Sequence, residues 1–117
     1  MAHNQIKGNR KGLSVWNVGD KEYHKLYDTV IVDFNHDSEG RTVTLNTAGW
    51  KTNHTKNCMN DFLKRFGFGV YQKDFVWYVR GREVSFSFDV DKVTFTIIDT
   101  PMGMQIGNFR EEVIRAA

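Results

Sequence analysis

Hydrophobic and polar positions change period twice along this chain. "TVIVDFN" (29–35) and "RTVTLNT" (41–47) are β-branched runs of period two on either side of "HDSEG", a turn-forming stretch that ends in Gly40. They predict a hairpin with Val30, Val32 and Phe34 on one face and Val43 and Leu45 across from them. After Gly49 the period becomes helical. Cys58, Met59, Phe62, Leu63 and Phe66 form one stripe of a 3.6-residue helix over 53–66. Thr52 or Asn53 is a competent N-cap, Lys64 and Arg65 suit the negative end of the helix dipole, and Gly67 sits where a left-handed C-cap belongs.

Period two then returns. In "GVYQKDFVWYVRGREVSFSFD" short turns at Lys73-Asp74 and Gly81-Arg82 separate the runs. Phe75, Trp77 and Val79 alternate with Val76, Tyr78 and Arg80, and Val84, Phe86 and Phe88 alternate with Ser85 and Ser87. "KVTFTII" adds Val93, Phe95 and Ile97 against Thr94 and Thr96. This reads as three or four antiparallel strands in a meander. Near the end, Asn108 as N-cap with Phe109, Val113 and Ile114 as a narrow stripe predicts a short C-terminal helix. Residues 13–27 have apolar positions without a clean period and read as an irregular lead-in or a short strand.

The predicted order is therefore β-β-α-β-β-β-β. Its fold class is α+β, an antiparallel β-sheet covered on one face by a single helix, with the short C-terminal helix beside it. Residues 1–12 read as a flexible basic arm and 13–117 as a single domain. A strand over 93–98 left exposed at the sheet edge would pair with its own copy in a homodimer or with a partner's sheet.

Composition narrows the class. The 117 residues include nine Phe, four Tyr and three Trp but one Pro, which favours a β-rich core of ordinary single-domain size. One cysteine, Cys58, excludes an internal disulfide and a Cys-rich metal site and points to a reducing compartment. No apolar run has the length of a signal peptide core or a membrane span, so a soluble protein without a membrane partner is expected.

Chemistry-bearing residues are spread rather than gathered. Asp33, His36, Asp37 and Glu39 cluster on the first hairpin, but their spacing matches no metal motif and the same residue types build tight turns. Asp89 and Asp91, with Asp99 a strand away, would suit a Mg²⁺-dependent nuclease, yet "DVDK" falls where the chain must turn. His3, His24, His36 and His54 lack zinc spacing, Cys58 lies on the apolar stripe, and no nucleophile elbow or phosphate loop is present. The residues imply no cofactor and no catalytic set.

Charge is more informative by position than in total, because the net charge is only +2. Residues 49–73 hold Lys51, Lys56, Lys64, Arg65 and Lys73 against Asp61 alone, and the arm adds Lys7, Arg10 and Lys11. Lys56, Asn60 and Lys64, four apart, are expected on one helix face opposite the core stripe. With Thr52 and Thr55 at the helix start they make a candidate phosphate-contacting surface, and Trp50, Tyr71, Trp77 and Tyr78 could stack on bases. The plainer reading is a solvated helix face above core aromatics.

"GWKTNHTKNCMN" through "FGFGVYQKDFVWYV" resembles a group of small bacteriophage proteins in which a W-x-T-x-T-T-K-x-R-M-N stretch precedes G-x-x-V-Y-Q-K-D-x-x-W-Y-V. Trp50, Thr52, Thr55, Lys56, Met59 and Asn60 match the first part. Val70, Tyr71, Gln72, Lys73, Trp77, Tyr78 and Val79 match the second. His54 stands where Thr is usual and Cys58 where Arg is usual. The resemblance spans roughly residues 28–98 and implies a phage origin and action in the host bacterial cytoplasm.

The expected function is a non-enzymatic binding protein that engages a host or phage protein, for example to inhibit a defence or transcription factor. The alternative is a nucleic-acid-binding module using Lys7, Arg10, Lys11 and the helix face, with a metal-dependent nuclease third. Candidate contacts with a partner or nucleic acid are Lys7, Arg10, Lys11, Trp50, Thr52, Thr55, Lys56, Asn60, Lys64 and Arg65.

Overall fold

A computed structural model describes residues 6–7, 10–37 and 40–112. Its largest element is an antiparallel seven-stranded sheet. In chain order its strands are β1 (Ile6–Lys7), β2 (Leu13–Val18), β3 (Lys21–Leu26), β4 (Thr29–Asp37) and β5 (Gly40–Asn46). The chain then leaves this sheet for α1 (Asn53–Leu63), a 3₁₀ turn over Lys64–Phe66, and a second, three-stranded sheet of β6 (Gly69–Lys73), β7 (Val76–Arg80) and β8 (Ser85–Phe88). It returns as β9 (Lys92–Thr100), which pairs with β5, and finishes in β10 (Gly103–Glu112) beside β9.

The expected two layers are present, but the covering layer is half helix and half sheet. Phe62 of α1 packs edge-on to His24 and against Phe34, with centroids 5.1 and 5.2 Å apart, which seats the helix over β3 and β4. Phe68 lies 6.2 Å from Phe95, and Phe86 stacks on Phe109 at 4.7 Å, which seats the smaller sheet over β9 and β10. Val32, Val43, Leu45, Met59, Phe62, Val79, Val93 and Phe95 are fully buried between the layers. Removing this much aromatic and aliphatic surface from water is the main source of stability.

The expected hairpin forms from β4 and β5, with Val32 opposite Leu45 and Phe34 opposite Val43, but its strands run into the expected turn, with His36 facing Arg41 and Asp37 facing Gly40. Residues 13–27, without a clean period in the sequence, form a full hairpin of β2 and β3. The next pairing contains a bulge: His24 faces Val32 and Lys25 faces Val30, so Ile31 is an extra residue. That is why adjacent Ile31 and Val32 are both buried.

The expected C-terminal helix is replaced by β10. Gly107 faces Thr96 and Arg110 faces Thr94, so one extra residue intervenes, and Asn108 adopts φ +51° there. Asn tolerates this left-handed conformation, and a bulge shifts the strand's alternation by one. Ile106 and Phe109, three apart, therefore both reach the core, a spacing that imitates a helix. Val113 and Ile114 lie outside the described residues.

Two further expectations are corrected. The strand over 93–98 is interior, flanked by β5 and β10, so it offers no free edge. Phe75 does not alternate with Trp77 and Val79. It occupies the β6–β7 turn with Asp74, both at positive φ (+67° and +53°), a backbone that suits a two-residue hairpin and leaves the ring 94% exposed.

Candidate functional site

A concavity of about 430 Å³ opens where α1 begins. Three sequence candidates meet there: Trp50, Thr52 and Thr55. Thr52 caps the helix, its Oγ1 accepting from the Thr55 N–H at 3.2 Å while its hydroxyl donates to Thr55 Oγ1 at 3.2 Å. Thr55 is buried, so both hydroxyls are engaged by each other. Trp50 is held differently. Ala48 and Gly49 take positive φ, the Asn46 side chain accepts from the Ala48 N–H at 2.9 Å, and the Trp50 N–H donates to the Thr47 carbonyl at 2.8 Å. This tight turn leaves the indole 67% exposed at the pocket rim.

The opposite wall comes from β3 and β4 and was not among the sequence candidates: Leu26, Tyr27 and Ile31. Tyr27 is 57% exposed and has φ +53°. Its N–H donates to the Gly12 carbonyl at 2.8 Å, and its ring lies across Gly12, where a Cβ would come within 2.4 Å of Cε1. Gly12 itself has φ +78°, so glycine is required there for space and for backbone. His54 closes the rim, 6.3 Å from the Tyr27 ring, its Nε2 bonded to the Lys11 carbonyl at 2.8 Å. The result is an apolar cleft between two exposed aromatic rings.

The basic candidates are arranged otherwise. Arg10 forms a two-point pair with Asp61 (Nε–Oδ2 2.7 Å, Nη2–Oδ1 3.2 Å), and this hydrogen bond raises its pKa further. Arg65 forms a two-point pair with Glu22 at 3.0 and 2.8 Å and lies over the Phe62 ring at 4.6 Å. Glu22 faces inward from β3 and is bonded also by His24 Nε2 at 2.6 Å. Burial alone would raise the Glu22 carboxyl, but the His24 and Arg65 hydrogen bonds outweigh it and hold the pKa near about 2. His24 Nδ1, buried beside Phe62, is left without a partner among the described residues.

The face bearing Lys56, Asn60 and Lys64 is turned toward β6. Asn60 donates to the Val70 carbonyl at 3.0 Å and accepts from the Val70 N–H at 2.6 Å, so its amide acts as a one-residue strand on the free edge of β6. Lys56 reaches Gln72 at 3.4 Å and lies over Trp77, which is buried. Lys64 and Lys11 are exposed, and Lys7 lies in β1.

Two of the carboxylates singled out in the sequence serve local structure: Asp91 accepts from the Thr47 hydroxyl at 2.8 Å and Asp99 pairs with Arg41 at 2.8 Å. At Asp89 it is the backbone carbonyl that accepts, from Lys51 at 3.1 Å. Among the described residues no three His, Cys, Asp or Glu side chains converge on a metal position. Cys58 is fully buried, and burial pushes its thiol pKa up, away from nucleophilic chemistry. None of the described helices is long and apolar enough to cross a membrane.

Fold and site together define a two-layer α+β protein with an aromatic-walled surface cleft. Residues 13–97, well over half of the chain, match the family model described as Kyanoviridae Gp96 protein, and the chain belongs to this phage protein family. Neither the curated proteins nor the solved structures include a match to it.

Proposed function

We propose that this phage protein is a non-enzymatic binding protein that engages a host or phage protein in the bacterial cytoplasm, inhibiting a target such as a defence or transcription factor by occupying its surface. The observation that carries the reading is Trp50: a tight turn presents its indole to solvent at the mouth of an apolar cleft instead of folding it into the core. Trp and Tyr at the rim of a pocket are the residue types that dominate protein–protein contacts, since each supplies a large contact area with few rotatable bonds. A cleft of about 430 Å³ takes one or two apolar side chains of a partner.

The test is capture of partners from host lysate on the tagged protein after nuclease treatment, with Trp50→Ser and Tyr27→Ser run beside the parent. A protein retained by the parent and lost from both variants supports the reading. A retained protein indifferent to both substitutions, or nucleic acid alone lost with nuclease, overturns it.

A further inference from the structure

The outer face of the three-stranded sheet carries a second, chemically different surface. In this sheet Tyr71 faces Tyr78, Gly69 faces Arg80 and Lys73 faces Val76. Because Val70, Trp77, Val79 and Phe88 are buried beneath, the alternate residues Tyr71, Lys73, Tyr78 and Arg80 point outward. The two tyrosine rings are stacked on one another, 4.9 Å apart and 10° from parallel. Lys64 stands beside them, and with Tyr71 and Arg80 it borders a shallow groove of about 480 Å³ whose floor includes Gly69. A Cβ at Gly69 would lie 3.7 Å from Arg80 Nη2, an ordinary contact distance, so the Arg80 guanidinium rests close over this position.

The charge on this face is of one sign. Among the described residues Lys64, Lys73 and Arg80 make no ion pair, in contrast to Arg10 and Arg65, and Ser85 and Ser87 are the outward residues of β8. Asp74 and Glu83 sit in the turns at opposite ends of β7, and Asp61, three residues before Lys64, is paired with Arg10. A stacked aromatic pair flanked by unpaired cations is complementary to a chain that alternates planar bases with phosphates. A rigid duplex would offer phosphates but no exposed ring faces for the tyrosines.

We infer that the outer face of β6–β8 binds single-stranded nucleic acid, with bases stacking on the Tyr71–Tyr78 pair and phosphates paired with Lys64, Lys73 and Arg80. This site is separate from the Trp50 cleft, so the protein can hold a nucleic-acid strand and a protein partner at once.

The probes are fluorescently labelled dT15, rU15 and a 15-base-pair duplex, measured by anisotropy across a salt series with the full-length protein. Binding of dT15 or rU15 in preference to duplex is expected, and comparison of the two strands distinguishes DNA from RNA as the natural source. Tyr71→Ala and Tyr78→Ala each weaken binding about tenfold, as expected when one stacked base is lost, while Tyr71→Phe and Tyr78→Phe keep it. Combining Lys64→Gln, Lys73→Gln and Arg80→Gln flattens the slope of log K against log salt by about 2, from about 0.7 per phosphate contact. Lys21→Gln, on β3 of the larger sheet, leaves affinity and slope unchanged. Failure of both single strands to bind at low salt, equal binding of duplex, or single-strand binding untouched by the alanine and charge variants overturns the site. Loss of this binding with intact Trp50-dependent protein capture leaves the proposed function standing.

Discussion

The two halves of the covering layer use the same residue types to opposite ends. Along the helix the cations are engaged by the fold: Arg10 with Asp61, Arg65 with Glu22 and Phe62, and Lys56 over Trp77. On the outer face of the smaller sheet Lys73 and Arg80, with Lys64 reaching its border from the 3₁₀ turn that ends the helix, have no carboxylate partner among the described residues, and two tyrosines stack beside them in view of solvent. A run of Lys and Arg in sequence therefore does not measure available charge. What decides is whether the opposing layer supplies an acid at the right register, as β3 does with Glu22.

The largest effect that would sharpen this contrast is at Asn60. Asn60→Ala removes two hydrogen bonds to Val70 and leaves both backbone groups on the edge of β6, a cost of about 2–3 kcal/mol measurable by urea denaturation. Glu22→Gln comes next, at about 1–2 kcal/mol near neutral pH for a partly exposed charge-assisted pair. Its pH dependence has a definite sign. The folded carboxyl titrates near about 2 and the unfolded one near 4.5, so the contribution is complete above pH 4.5 and is lost as pH falls toward 2. Parent and variant should converge in stability in acid; a gap that persists at pH 2 would mean the carboxylate is not its source.

Thr52→Ala removes the helix cap and should cost about 1 kcal/mol in thermal or chemical unfolding, with Thr52→Ser close to the parent. Gly12→Ala forces the Tyr27 ring off the cleft wall, so quenching of the exposed Trp50 fluorescence by an apolar cleft ligand should weaken; unchanged quenching would show that Tyr27 does not shape the cleft. The smallest effects belong to the sheet face. Lys64→Gln and Lys73→Gln should each leave stability within about 0.5 kcal/mol of the parent.

The contrast also explains what the sequence disclosed. The α1 stripe was legible because Cys58, Met59, Phe62 and Leu63 are packed on one side, Thr52 caps the start, and Gly67 closes the 3₁₀ turn that follows, all within a short stretch. The C-terminal strand was not, because the bulge at Asn108 breaks its period-two alternation and Asn108, with Phe109 beside it, reads in sequence as a helix N-cap. The interior position of β9 depends on its return to β5 after an excursion through α1 and the smaller sheet, and local periodicity carries no trace of so distant a partner. Half of the cleft was legible as well. Trp50, Thr52 and Thr55 stood out as more polar and aromatic than a connection requires. Leu26 and Tyr27 did not, since they reach the same place from β3 through a turn that Gly12 makes room for.

The most direct test compares two arginines. Urea denaturation of Arg65→Gln and Arg80→Gln should give a loss of about 1 kcal/mol for the first, which breaks its two-point pair with Glu22, and no change for the second. Equal stability of the two variants, or a larger loss for Arg80→Gln, would contradict the division of the covering layer into a helix whose cations hold the fold and a sheet whose cations are free to bind.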